Sequence, residues 1–390
     1  NDFSRALDNQ KAVLLVMLDL SAASDNVDRK ILLQRVANEF GIVGTAQQWI
    51  SSYLDNRSFC VTVDGTFSND FLLQHGLPQG SVIGPLGFVF YTHIVGRIIR
   101  HHQLMYHIYA DDIQIYLPVD PTVPGDVVCG IFKISRCVED INSWMIRNKL
   151  KLNPDKTEFF IMSSSHHRTV LHDVSFHIVD DIIPQSSTVR NLGVVFDQQM
   201  NMDHHITKLC QIINWQIRNL YRIRRYIDQE TCANIVRAML LSRLDYCNVL
   251  FNNIAQRDLD RLQRLQNKCA RLVFMPPRRT NISPLLKKLH WLCVKDRISF
   301  KTLLYVYKSL NGLCPRYIDA CLTVKRPCEG SVITRTDHGF NLRVPRSNKC
   351  AGDRAFSVAA PLKWNTIPFH IRSAPSVAIF KSHLKTYLFS

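Results

Sequence analysis

Six apolar residues stand in a row in KAVLLVMLDL, from Val13 to Leu18, and the run ends on Asp19. A strand with one wet face alternates apolar and polar residues, so an unbroken run of this length reads as a strand covered on both faces. The chain therefore has to build a layered sheet around Val13–Leu18. With 390 residues and 46% hydrophobic content it is long enough to do so and to form two or three domains. Asp19 comes at the end of the run, where a loop can present it. Asp25, Asn26 and Asp28 come next as caps for a helix that carries Ile31, Leu32, Val36 and Phe40 on one side and stops at Gly41.

A second acidic feature lies far along the chain. In HIYADDIQIY, residues 107–116, the apolar positions Tyr106, Ile108 and Ala110 alternate before Asp111-Asp112, and Ile113, Ile115 and Leu117 after it. The pattern predicts strand–turn–strand with the aspartate pair at the tip. Asp is a common turn residue, and a soluble turn is one reading of the pair. The other is a cation site, because two carboxylates ~4 Å apart repel by about 4 kcal/mol at an effective dielectric near 20. If the strand of Asp19 pairs beside this hairpin, three carboxylates meet. Such a set suits Mg²⁺, which prefers oxygen ligands, and a pair of ions can serve an in-line phosphoryl displacement.

The remaining elements alternate between sheet and helix up to residue 200 and are helical beyond it. Asp64-Gly65 marks a hairpin. GLPQGS, Gly76 to Ser81, reads as an ordinary Pro-Gly turn or as a loop whose backbone approaches a ligand at Gly80, with Gln79 offering a donor and an acceptor. It leads into a helix with Pro85 near its start. A long amphipathic helix carries Ile131, Ile134, Val138, Ile141 and Met145 on its apolar face. LKLNPDKTEFFIMS turns back into a strand, and VRNLGVVFD supplies another. Lys156, taken alone, is a solvated side chain. Helices then cover HITKLCQIINWQIRNLYRIRRYI, QETCANIVRAMLLSRLDYCNVLF and AQRDLDRLQRLQNKCARLVF, with a boundary at Pro276-Pro277 and a mixed basic tail beyond.

Charge separates the two halves. Residues 1–200 hold 16 Lys and Arg against 21 Asp and Glu, a net of −5, and residues 201–390 hold 32 against 11, a net of +21. An acidic half beside a basic one points to metal-dependent chemistry on a polyanion. The longest stretch free of Asp, Glu, Lys and Arg, Phe71 to Gly96, contains five glycines and two prolines and is no membrane span. The twelve cysteines form no C-x-x-C pair. Cys314, Cys321 and Cys328 recur every seven residues, but no His/Cys pairing at zinc spacing completes them, so free thiols are expected.

Taken in order, LDLSAASDNVD, GLPQGSVIGPLGF, YADD, LKLNPDKTE and NLGVVFD resemble the successive palm motifs of reverse transcriptases, most closely those of non-LTR (LINE-type) retrotransposons. The resemblance continues through SRLDYCNVLF, LDRLQRLQNKCARLVF, LHWLCVKDRISFKTLLYVYKSLNG, GDRAFSVAAPLKWNTIP and FKSHLKTYLF, and so covers nearly the whole chain. It implies an α+β fold: a palm of antiparallel sheet packed on helices over residues 1–199, a helical basic thumb over 200–275, and a mixed C-terminal extension over 276–390.

The resemblance also implies roles. Asp19, Asp111 and Asp112 match the metal-binding aspartates, with two Mg²⁺ ions, or Mn²⁺ in their place, as cofactor. Lys156 matches a lysine that serves as general acid toward departing pyrophosphate. Ser24, Gln79, Gly80 and Ser81 match positions near the incoming nucleotide and template. Asn191, Leu192, Gly193 and Val194 match the primer grip. Lys208, Arg218, Arg222, Arg224 and Arg225 would contact nucleic-acid backbone, although a merely solvated helix face has the same composition. The implied partners are an RNA template, a DNA primer and dNTPs, with no membrane. The implied location is intracellular, in a cytoplasmic ribonucleoprotein and the nucleus.

Two departures stand out. The family has an aromatic residue five positions after the first aspartate, where it blocks a ribose 2′-OH, and this chain has Ser24. Only 18 residues precede Asp19, so the fingers and any upstream endonuclease are expected to be missing. The alternative reading is thus a truncated, non-catalytic nucleic-acid-binding remnant. An RNA-templated RNA polymerase is disfavoured, because Ala110 takes the place where those enzymes have Gly.

Overall fold

The strand Ala12–Leu18 sits at the centre of a five-stranded sheet in a computed structural model that describes residues 1–21, 23–167, 171, 174–178, 181–325 and 341–389. Its seven residues are all buried, as an unbroken apolar run requires. On one side it pairs antiparallel with Asp112–Val119, which in turn pairs with Met105–Tyr109. On the other it pairs antiparallel with Glu158–Met162, and Gln185–Ser186 adds a short parallel edge. One face, through Leu14, Val16 and Leu18, packs on Tyr91, Val95 and Ile99 of the helix Gly84–His101 and on Ile134, Val138, Ile141 and Met145 of the helix Asp126–Arg147.

Local chemistry fixes the ends of these elements. The Asp28 carboxylate accepts from the amides of Lys30 and Ile31 and caps the helix Arg29–Phe40, which closes at Gly41 with φ 66°. Asp64 (φ 49°) and Gly65 (φ 79°) form the two-residue turn between Thr62–Val63 and Thr66–Phe67, as a left-handed pair does in a hairpin.

Contacts divide the chain into two units, Lys11–Ser187 and Asn1–Gln10 together with Thr188–Ser390. The second of these units contains both of the segments 200–275 and 276–390. Within that unit a hairpin pairs Thr188–Asn191 with Val194–Asp197. The helices Asp203–Ile223, Gln229–Val236 and Gln256–Phe274 come after it, and a π-helix occupies Arg237–Leu241 between Gln229–Val236 and the short helix Ser242–Asp245. The later helices Val294–Leu310, Phe356–Thr366 and Val377–Phe389 share a core in which Tyr307 stacks on Phe380 with ring centres 4.2 Å apart. A buried hydrogen bond of 2.9 Å from Asn252 to Thr302 ties this core to the preceding helices.

The N-terminal helix Asp2–Asp8 belongs to the same unit. Asp8 is buried, and its carboxylate accepts from the amides of Asn348 and Lys349 at 2.7 and 2.8 Å. Gly352 lies so close that a Cβ there would stand 2.3 Å from the Asp8 carboxyl carbon. The described cysteines are free thiols, and Cys328 lies outside the described residues. Among the described residues no helix is long and apolar enough to cross a membrane.

Candidate active site

The register of the central ladder brings the acidic residues together. Leu18 pairs with Ile113, so the next step along each strand sets Asp19 across from Asp112. The hairpin turn is formed by Ala110 and Asp111, with Tyr109 opposite Asp112. Ala110 has φ 54°, a left-handed conformation that costs an L-residue about 1–2 kcal/mol. The turn thus holds Asp111 exposed and Asp112 half-buried.

The Asp112 carboxyl is pushed up from the ordinary carboxylate range, chiefly by burial, then by the charge of Asp111 and then by that of Asp19. These are the conditions under which a nearby cation is favoured. Among the described residues the one ion pair made by these carboxylates comes from Lys156, whose Nζ lies 3.4 Å from Asp19 Oδ2. That contact lacks hydrogen-bond geometry, and Asp19 Oδ2 is buried without a donor.

Non-local pairing brings Lys156 there. Beyond the strand, Leu20 bridges Leu152, the Ser21 amide donates to Lys151 O, and the Asn153 amide donates to Asp19 O, each hydrogen bond 3.0 Å long. The 3₁₀ turn Pro154–Lys156 starts from this clamp and returns the lysine to the aspartate. A reading of Lys156 as a lone solvated side chain misses the pair, because its cause lies more than a hundred residues away in sequence.

Carboxylate oxygens are the donors that Mg²⁺ prefers, and the orphaned oxygen of Asp19 together with the raised Asp112 carboxyl fits a cation at this place. Among the described residues, no three His, Cys, Asp or Glu side chains converge closely enough to form a ready-made metal cluster. The carboxylates are neighbours here without being a closed cage.

The GLPQGS loop is docked on the turn that comes after Asp19. The Leu77 amide donates to Ser24 O at 2.9 Å, the Gly76 amide to Val27 O at 2.8 Å, and Gln79 Nε2 to Asp25 Oδ1 at 2.7 Å. Gly76 has φ 84°, and a Cβ there would meet Asp25 O at 2.8 Å, so this approach requires glycine. Gly80 (φ 74°) has open space around it at the loop tip. The Ser81 hydroxyl donates to Pro78 O and accepts from the Gly84 amide, so it staples the loop to the helix start. Ser24 is half-buried with its carbonyl committed to Leu77.

In the other unit the hairpin turn is Leu192 (φ 44°) and Gly193 (φ 84°) between Asn191 and Val194. Tyr246, which no local sequence signal picks out, donates to Leu192 O at 2.6 Å. Lys208, Arg218, Arg222 and Arg225 are exposed to differing degrees, and Arg225 lies 4.8 Å from the centre of the Tyr226 ring. Arg224 departs from the expected backbone role. Its guanidinium donates to the carbonyls of Leu272, Ile227 and Val273 at 2.9, 2.7 and 2.7 Å, and so satisfies the end of the helix Gln256–Phe274.

A mixed sheet-and-helix unit with aspartates at adjoining strand ends defines the class: an α+β fold compatible with a polymerase palm. The family profile described as "Reverse transcriptase (RNA-dependent DNA polymerase)" matches residues 2–196. The chain belongs to the reverse-transcriptase family and, within it, to the LINE-type group. It is 24% identical over 287 residues to the "Probable RNA-directed DNA polymerase from transposon X-element" of Drosophila melanogaster, covering 69% of this chain and 29% of the relative. It is 24% identical over 320 residues to the corresponding protein of transposon BS from the same organism, covering 77% and 33%. With the "RNA-directed DNA polymerase from mobile element jockey", also of Drosophila melanogaster, it shares 22% over 282 residues, covering 70% and 29%. The chain thus spans about a third of the length of the curated relatives it matches.

Proposed function

We propose that this chain carries the catalytic palm of an RNA-directed DNA polymerase, which transfers a nucleotidyl group from a dNTP to a DNA primer 3′-OH on an RNA template. The observation that carries the reading is the ladder register that sets Asp19 across from Asp112 at the Asp111-Asp112 tip. Asp19 and Asp111 would hold Mg²⁺, with Asp112 beside them. Bound there, a pair of divalent cations supplies charge stabilisation for an in-line phosphoryl displacement. Lys156 provides the positive charge and the proton that departing pyrophosphate takes up. The backbone around Gly80 and the Gln79 amide orient the nucleotide, and Ser24 faces its sugar. The Asn191–Val194 hairpin holds the primer end, and Lys208, Arg218, Arg222 and Arg225 track the backbone of the hybrid. Work inside the cell, in a cytoplasmic ribonucleoprotein and the nucleus, goes with such a role.

Primer extension on an RNA template tests the reading. The chain extends the primer in Mg²⁺, and Asp111→Asn abolishes extension while leaving hybrid binding in place. Binding without any extension in the unaltered protein would replace this reading with the non-catalytic remnant.

A further inference from the structure

The GLPQGS loop is pinned on both sides of Gln79, and the Gln79 side chain is left to one partner. On one flank the Leu77 amide donates to Ser24 O at 2.9 Å, and Gly76 O accepts from Arg29 Nε at 3.3 Å. On the other the Gly84 amide donates to the Ser81 hydroxyl at 3.0 Å. Between these anchors the Gln79 side chain is exposed, as is that of Asp25. Among the described residues, the one hydrogen bond that each of these side chains makes is to the other, from Gln79 Nε2 to Asp25 Oδ1 at 2.7 Å. The Asp25 backbone is held independently, because Gly76 packs so closely on it that a Cβ there would meet Asp25 O at 2.8 Å.

An ionised carboxylate only accepts hydrogen bonds, so the end of the Gln79 amide turned toward Asp25 is its NH₂ group. The amide is planar, and with Nε2 committed the carbonyl oxygen Oε1 is the atom left for a ligand. The loop therefore offers an acceptor. A bond to a charged partner is stronger than a neutral one and polarises the amide, which makes Oε1 a better acceptor. Substrate chemistry decides what can satisfy it. The triphosphate of a nucleotide is made of acceptors and negative charge, and both Oε1 and Asp25 repel it. The donors of the base are taken up in pairing with a template. A sugar hydroxyl is left, and the residue before Asp25 is Ser24, which faces the sugar in the reading above. In the free protein water competes for the exposed bond between Gln79 and Asp25. A seated nucleotide excludes that water and strengthens the bond.

We propose that Asp25 is a positioning residue for nucleotide selection: its carboxylate holds the Gln79 amide so that Oε1 accepts from the sugar 3′-hydroxyl of the incoming nucleotide. The proposal rests on the polymerase reading above and adds to it a residue that itself touches no substrate atom. Asp25 thus differs in role from Asp28, whose carboxylate caps the helix Arg29–Phe40. The effect is confined to nucleotides that carry the hydroxyl, because a 3′-deoxy sugar has nothing to donate there.

The test compares a dNTP with the matching 2′,3′-dideoxynucleotide on the full chain, by single-nucleotide extension in Mg²⁺ and by equilibrium binding to the hybrid-bound protein in Ca²⁺. Asp25→Ala raises the KM and the Kd for the dNTP about tenfold, the scale of one charge-assisted hydrogen bond. Its kcat, and both constants for the dideoxynucleotide, stay near the parent's. Asp25→Asn, whose Oδ1 still accepts from Gln79 Nε2, recovers most of the loss. The thermal midpoint of Asp25→Ala equals the parent's, since the backbone anchors are untouched, and this separates positioning from folding. Gln79→Glu sets two carboxylates against each other and weakens dNTP binding. Adding Asp25→Asn to it restores binding, because donor and acceptor have only changed places. Equal losses for the two nucleotides in Asp25→Ala would overturn the proposal, and so would an asparagine variant as poor as the alanine one. Extension by the parent with no change at all in Asp25→Ala removes the proposal alone. The expected binding pattern in a protein that never extends a primer keeps the proposal and removes the polymerase reading. Absence of both extension and nucleotide binding removes both.

Discussion

Lys156 Nζ lies 3.4 Å from Asp19 Oδ2, and in that position it is the counter-charge of a carboxylate cluster suited to divalent cations. The lysine side chain is 66% exposed, so its pairing in water contributes at most about 1 kcal/mol. In metal-free buffer Lys156→Met therefore lowers the unfolding free energy by no more than about 1 kcal/mol. Adding millimolar Mg²⁺ removes most of the difference, because the ion then neutralises the same carboxylates. Denaturant unfolding with EDTA and with Mg²⁺ measures both effects. An equal deficit in the two buffers means that ammonium and metal do not share Asp19.

On the proposed polymerase reading, Ser24 lies beside the sugar of the incoming nucleotide, where a larger ring would block a 2′-OH. Its carbonyl is held by Leu77, so a new side chain at this position cannot easily swing the backbone away. An active form of the protein incorporates ribonucleotides readily, and Ser24→Phe restores preference for deoxynucleotides by about tenfold or more, the scale of one added steric conflict with a 2′-OH. Single-nucleotide extension with matched rNTP and dNTP pools decides it. Strong and equal dNTP preference in both forms removes the steric-gate assignment from Ser24.

Ala110 holds φ 54° at the hairpin tip. Glycine adopts that conformation without Cβ strain, so Ala110→Gly stabilises the Lys11–Ser187 unit by up to about 1 kcal/mol despite the greater entropy of the unfolded chain. The reading is the denaturation midpoint at constant slope. A fall in midpoint would mean that the turn is not left-handed at this residue.

His205 titrates below its ordinary range because it is buried and, secondarily, because Lys208 is near. Arg190 and Arg243 line one cavity with it. The unfolded chain therefore binds the proton more readily than the folded one. The stability contributed by neutral His205 is complete above about pH 6.5 and is lost as the pH falls below it. Protonation also takes Nδ1 away from the Val195 amide. Amide exchange at Val195, corrected for its intrinsic rate, accelerates as the pH falls from about 6.5 to about 5, and His205→Gln flattens that dependence.

Gly352 faces the buried Asp8 carboxylate at a distance that leaves no room for a methyl group. Gly352→Ala displaces Asp8 from the Asn348 and Lys349 amides and destabilises the unit by about 2 kcal/mol or more, since a buried carboxylate loses its donors. Thermal unfolding measures the loss. An unchanged midpoint would show that the N-terminal helix is not docked there.

The local signals were legible in the sequence. The Val13–Leu18 run dictated a strand buried on both faces, Asp64-Gly65 a hairpin turn, Gly41 a helix end, and the alternation around Asp111-Asp112 a second hairpin. Each is set by neighbours within a few residues. The features hidden from sequence reading depend on contacts between distant positions. Arg224 has the same local context as the exposed arginines beside it, and only the carbonyls of Leu272 and Val273 draw it inward. A π-helix leaves the apolar spacing of Arg237–Leu241 nearly unchanged while it re-aims the residues after it. The tail beyond Pro276-Pro277 reads as a separate basic extension because Asp8 and Asn348, 340 positions apart, carry no mark of each other.

That last contact has a consequence for how the protein is made. The helix Asp2–Asp8 is synthesised before the amides that satisfy Asp8, which follow 340 positions later. Throughout that interval the nascent chain carries a helix that cannot dock and an acid that must remain hydrated, while the intervening Lys11–Ser187 unit is free to fold. Closure of the second unit is therefore a late event that joins two widely separated parts of the message. A premature stop anywhere between Asp8 and Asn348 yields a chain whose Asp2–Asp8 segment never finds its place, and this exposed, unsatisfied stretch is a natural target for proteolytic removal of incomplete copies.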